Sequence, residues 1–187
     1  MDALMAALVA ALLTQASDRT PWTAAMLGDR YANKSAVIAA TALALALGNA
    51  LGVVGGVLIA PLLSPNAQGL LLAVALVSGG ITAFWPLRPA KHRDWRGGAF
   101  LLSLIAIGLL GFGDRMQFIT AALAARSETP ALAAVGATLG ALAVTIPAIV
   151  LGERNLRRLP TVAIRLSAAA ALTAFGVVQG LAALRLI

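Results

Sequence analysis

Two Asp-Arg pairs, Asp18-Arg19 and Asp114-Arg115, stand in the middle of long apolar stretches, and nothing else in the chain restricts its fold as strongly. A charge at the centre of a bilayer costs roughly 3 kcal/mol on insertion scales, so it faces a bundle interior, finds a partner or serves a function. A bilayer is the relevant solvent here. Of the 187 residues, 60% are hydrophobic and 11% charged, against roughly 25% charged in a soluble domain. Ala, Leu, Val and Gly dominate while aromatics make up 5%. That mixture suits close-packed membrane helices, not a β-barrel with alternating strands and aromatic girdles. The expected fold class is therefore all-α and polytopic.

Proline and charge clusters divide the chain into six segments, each near or above the roughly 20 residues that a spanning helix needs. They run from Ala3 to Leu27, Ser35 to Leu63, Ala67 to Trp85, Gly98 to Ala125, Pro130 to Leu151 and Pro160 to Leu184. The first segment is expected to be a retained helix, since Met1-Asp2 lacks the Lys or Arg of a signal-peptide n-region. Six spans place the loops alternately on two sides. Arg30, Lys34, Arg88, Lys91, Arg93, Arg96, Arg154, Arg157 and Arg158 then share one side, with Arg126 and Arg185 on the other. The positive-inside rule makes the crowded side cytoplasmic and puts both termini outside. Orientation in the cell or inner membrane and contact with lipid thus account for the net charge of +7 without a nucleic-acid partner. Trp85 and Trp95 suit interfacial anchors, and His92 between them reads as solvated.

The chain also repeats itself. The offset that lays Asp18-Arg19 on Asp114-Arg115 lays Ala25 on Ala121, Leu27 on Leu123 and Arg30 on Arg126. Residues 1–87 form a first three-helix repeat and 97–187 a second, joined by the basic loop 88–96. Three spans per repeat is an odd number, so the second repeat enters from the opposite side. The expected architecture is two inverted three-helix repeats, as in secondary transporters whose sites lie at the midplane between repeats.

Glycines recur every four residues at Gly48, Gly52 and Gly56, at Gly136 and Gly140, and at Gly176 and Gly180. Small residues at this spacing let helix backbones approach, so packing is their expected role, and such faces permit a homo-oligomer. Asn49 within the first seam is expected to make an interhelical hydrogen bond. Adjacent residues on an intact helix point about 100° apart and cannot neutralise each other. The repeat offers a better arrangement, with Asp18 near Arg115 and Asp114 near Arg19. Pro21 with Thr20 as N-cap, and Gly111 with Gly113, suggest helices broken at both pairs. Unwound backbone there would face a central cavity. Asp18, Asp114, Gln15, Thr20 and Gln117 would offer oxygen ligands to a hard divalent cation, with Arg19 and Arg115 as buried salt-bridge or gating partners. Two ion pairs that merely fix the bundle are the alternative.

Gln15-Ala16-Ser17-Asp18-Arg19-Thr20 and Gly111-Phe112-Gly113-Asp114-Arg115-Met116-Gln117 resemble degenerate copies of E-x-G-D-[KR]-[TS], the paired signature of the GDT1/TMEM165 family. Thr23 to Lys34 and Thr120 to Ala137 are similar to the runs that follow each motif. The resemblance implies six spans in two inverted repeats and exchange of Mn²⁺ or Ca²⁺ against protons, with motif acids from both repeats binding the metal. Asp18 and Asp114 fall on its aspartate positions, and Arg19 and Arg115 on its basic positions. Gln15 and Gly111 stand where it has glutamates, Ser17 replaces a glycine and Met116 a hydroxyl residue. The motif charge thus moves from net negative to zero.

Two functions follow. The first is a secondary transporter of Mn²⁺ or Ca²⁺, with no resident cofactor. The second is a transport-inactive or altered relative with a structural or partner-binding role. An intramembrane enzyme is disfavoured, because there is no Cys, no HExxH motif and a single histidine.

Overall fold

In a computed structural model, residues 2–85 and 97–186 are described. The basic loop 88–96, with His92 and Trp95, lies outside them. The described chain is helical throughout, with α1 (Asp2–Ala16), α2 (Thr20–Arg30), α3 (Lys34–Ile59), α4 (Pro65–Ala83), α5 (Ala99–Gly111), α6 (Arg115–Ala125), α7 (Pro130–Leu156) and α8 (Thr161–Ala183). Local chemistry sets the boundaries. Pro65 and Pro130 open α4 and α7, where a missing N–H costs nothing. Asn33 and Ser64 cap α3 and α4, their side chains accepting from the amides of Ala36 and Ala67.

Among the described residues, four helices are long and apolar enough to cross a membrane, namely α3 with its terminal 3₁₀ turn, α4, α7 and α8. The pair α5 and α6, bent by 66° at its break, makes a fifth if read as one broken span. Six spans are expected from the sequence, with breaks at both Asp-Arg pairs; the break in the fourth segment is present, but the first segment does not reach spanning length in one helix. The segment Ala3 to Leu27 folds as two short helices; α1 has only 15 residues, and α2 carries Asp29 and Arg30. The expected loop at Gly152 also differs. Helix α7 runs on to Leu156 across a break at Gly152, whose φ of 77° suits only glycine. Asp29 of α2 seats in that break and accepts from the Glu153 amide at 2.7 Å.

Packing is crosswise between the two halves. Helices α1 and α2 lie along α7, α5 and α6 lie along α3, and α4 lies against α8. Small residues permit these approaches. A Cβ at Gly136 or Gly140 would strike the carbonyls of Leu4 and Leu8 in α1, and one at Gly56 the carbonyl of Ala121 in α6. At Gly52 it would come within 2.8 Å of the Gln117 carbonyl. Gly48 does not share this role, because a Cβ there would meet nothing within 4 Å. It faces a cavity instead, which is why the four-residue spacing alone misassigned it. Gly176 packs on Val77 and Leu76, whereas Gly180 makes only ordinary contact with Ala73.

The two glycines therefore separate in a substitution test. Gly136→Ala should cost about 1–3 kcal/mol by overpacking, while Gly48→Ala should be neutral or gain up to about 1 kcal/mol from helix propensity. Thermal unfolding of the two variants in detergent reads the difference. Equal destabilisation would contradict the packing described.

Candidate functional site

Both Asp-Arg pairs sit where a helix breaks. Between α1 and α2 the chain turns through Ser17, Asp18 and Arg19; between α5 and α6 it turns through Phe112, Gly113 and Asp114. The turns are built differently. The second uses Gly113 at φ 72°, a left-handed conformation open to glycine. It leads into Asp114, the N-cap of α6, whose carboxylate accepts from the Arg115 amide at 2.7 Å. The first has no glycine, and its N-cap is Arg19, which makes no side-chain cap bond. Thr20, expected as the cap, is instead the first residue of α2 and donates to Asp18 Oδ2 at 2.7 Å.

A helix that stops among buried residues leaves carbonyls that need donors. Arg115 supplies them for α1. Its guanidinium donates to the carbonyls of Ser17 and Thr14, reaches the Gly79 carbonyl of α4 at 3.3 Å, and lies 3.6 Å from Asp18 Oδ1. A cation is favoured at a helix C-terminus. The Asp18 and Arg115 side chains are each 14% exposed. The reciprocal pair expected between Asp114 and Arg19 does not form; among the described residues Arg19 is in no ion pair, and it is exposed. The different turns explain this. Asp18 reaches across to the other half, whereas Asp114 folds back onto its own helix as a cap.

Beside this ion pair lies a small, partly open cavity of about 20 Å³. Gln15, Thr20, Asn49, Asp114 and Gln117 supply its polar lining, with Gly48, Gly111 and apolar residues completing the wall. Four of the five residues expected as ligands thus meet at one place; Asp18 is not in the lining, and its carboxylate reaches it by accepting from Thr20. The volume decides what fits. A single water needs roughly 10–15 Å³, so the cavity has room for one water or one stripped cation.

The lining groups are partly committed. Gln117 Oε1 accepts from the Gly113 amide at 2.8 Å, and its Nε2 donates to the Gly48 carbonyl of α3 at 2.9 Å. Asn49 makes the interhelical bonds expected of it, donating to Thr138 at 3.1 Å and accepting from Thr120 at 3.4 Å. Gln15 is different. It is 2% exposed, and its Oε1 has no hydrogen-bond partner among the described residues. A buried acceptor left unmet costs about 1–3 kcal/mol, which a guest donor or cation would relieve. Among the described residues no three of His, Cys, Asp and Glu converge on a metal position. The donors are one carboxylate and neutral oxygens. Sequence reasoning missed the carbonyls of Thr14, Ser17 and Gly79, because a carbonyl acceptor leaves no mark on residue type.

Four long apolar helices and a broken apolar pair define a polytopic membrane protein. The family model for the divalent cation/proton antiporter GDT1 matches residues 3–91 and 99–185, and the chain belongs to that family. It is an integral membrane protein of a family of transporters and not of enzymes. No curated protein and no solved structure matches it.

The asymmetry of the two arginines predicts unequal roles in stability. Arg115→Gln strips the α1 carbonyls of donors and leaves Asp18 unpaired, and should cost about 3 kcal/mol. Arg19→Gln strands no ion-pair partner among the described residues and should cost less than about 1 kcal/mol. Thermal unfolding in detergent checks both, and a comparable loss for Arg19→Gln would refute the arrangement.

Proposed function

We propose that the chain exchanges one dehydrated divalent cation, Mn²⁺ or Ca²⁺, against protons through the cavity between its two halves. The observation that carries this reading is the convergence of Asp114, Gln15, Thr20 and Gln117 on a space for one ion. Hard divalent cations take oxygen ligands, and every polar residue of the lining offers one. Among the described residues, Asp114 is the only carboxylate in that lining. Its oxygens can hold a cation or a proton but not both at once, which is the logic of exchange. Arg115 neutralises Asp18, so the guest answers to a single negative charge.

The architecture we infer is six spans in two inverted repeats, 1–87 and 97–187, with α1 and α2 together as the first broken span. Reciprocal contacts support it. Gly80 packs against Thr173, and the 96-residue offset from Asp18 to Asp114 turns that contact into Gly176 against Val77, which also forms. The same offset carries Gly56, packed on α6, onto Gly152, packed on α2. Transport then proceeds by rocking of one repeat against the other about the cavity. The basic loops face the cytoplasm and both termini the outside.

A second reading has its own support. The Asp18–Arg115 pair ties α1 to α6, and Gln15 and Gly111 stand where the family resemblance places acids. A member locked in this way would hold its fold and carry nothing. Flux separates the two. Proteoliposomes with an imposed pH gradient should take up Mn²⁺ or Ca²⁺; Asp114→Asn should abolish uptake, and Arg19→Gln, at a position that neither lines the cavity nor ion-pairs with a described residue, should leave it within about twofold. Gel filtration and unfolding temperature establish that each variant is folded. Absence of flux in the wild type, or full flux in Asp114→Asn, would overturn the transport reading.

A further inference from the structure

At the opposite end of α1 from Asp18 lie two adjoining cavities unrelated to the central one. The first, of about 650 Å³, opens at the α6–α7 turn and is walled by Asp2, Arg126, Glu128 and Gln179 together with small residues. The second, of about 360 Å³, continues from it and is lined by Met5, Val9, Leu13, Leu76, Leu172 and Phe175 among others. Ala6, Leu72, Leu123 and Gln179 belong to both walls, so polar mouth and apolar groove form one continuous feature.

Its geometry matches the bilayer. The mouth lies at helix ends, where the headgroup layer belongs. At 1.5 Å per residue, the groove follows α1 from Ala6 to Leu13 for roughly 10 Å, well within the half-thickness of about 15 Å of a hydrocarbon core. The second volume falls within the range of specific ligand pockets, roughly 300–1,000 Å³. Charge at the mouth is mixed. Arg126 offers a guanidinium, held by a 3.2 Å bond to Gln179 Oε1, while Asp2 and Glu128 offer carboxylates.

We propose that this feature binds one aminophospholipid, with an acyl chain in the groove, the phosphate on Arg126 and the primary ammonium on Asp2 and Glu128. A cation beside two anions complements a phosphate joined to an ammonium. It disfavours a lipid with an anionic headgroup, which would bring its charge against two carboxylates. The site does not depend on the transport reading.

Native mass spectrometry of the full chain, released from detergent with equal amounts of phosphatidylethanolamine and phosphatidylglycerol, tests it. One phosphatidylethanolamine per chain should be retained, preferred about tenfold, the effect of one charge-assisted bond. Asp2→Asn with Glu128→Gln should remove the preference, and Arg126→Gln should weaken both lipids. Ala6→Trp, at an exposed position shared by both walls, should block retention while leaving the unfolding temperature unchanged. Equal retention of the two lipids, undiminished binding by Ala6→Trp, or a lipid-free dimer closing the groove would overturn the proposal.

Discussion

A helix that ends among buried residues must find donors for its last carbonyls, and the Arg115 guanidinium at the end of α1 meets that demand. Much else follows from this contact. It lets α1 stop at Ala16 and the chain restart as α2 at Thr20. It spends the positive charge of the second motif on the first, so that Asp18 is neutralised from the other half of the molecule. It also reaches Gly79 and so ties the break to α4.

The cost of that solution is symmetry. Two motifs with the same Asp-Arg pair could have exchanged partners equally, but only one exchange occurs. Gly113 gives the second turn a left-handed residue and lets Asp114 cap its own helix. The first turn has Ser17 in place of that glycine, and Asp18 reaches across to Arg115 while accepting from Thr20. Asp114 is left facing the cavity as its only carboxylate, beside the unmet oxygen of Gln15. A difference of one glycine thus separates a structural aspartate from a candidate ligand.

Much of this was legible in the chain. Mid-span charges beside Pro21 and Gly113 announced broken helices, because proline and glycine act on the backbone directly. The Asp18–Arg115 pair followed from the repeat. Asn49 was readable as an interhelical bond because a lone amide in an apolar span needs a partner. The rest depended on three-dimensional direction. The periodicity that marked Gly52 and Gly56 also marked Gly48, and only the placement of α6 shows that one of the three faces open space. The extension of α7 through Gly152 depends on Asp29, a residue 123 positions earlier that local pattern cannot see. Among the described residues, Arg19 lacks the acidic partner expected from symmetry for a similar reason, since cap geometry is decided by backbone dihedrals.

The central claim is that the cavity between the two breaks takes a divalent cation on Asp114 and neutral oxygens. Anomalous diffraction from crystals grown with Mn²⁺ tests it most directly. The account predicts one manganese peak in the cavity, bonded to Asp114 and Gln15, that disappears in Asp114→Asn. Manganese bound to Asp18 with Arg115 displaced, or no peak between the two halves, would contradict it.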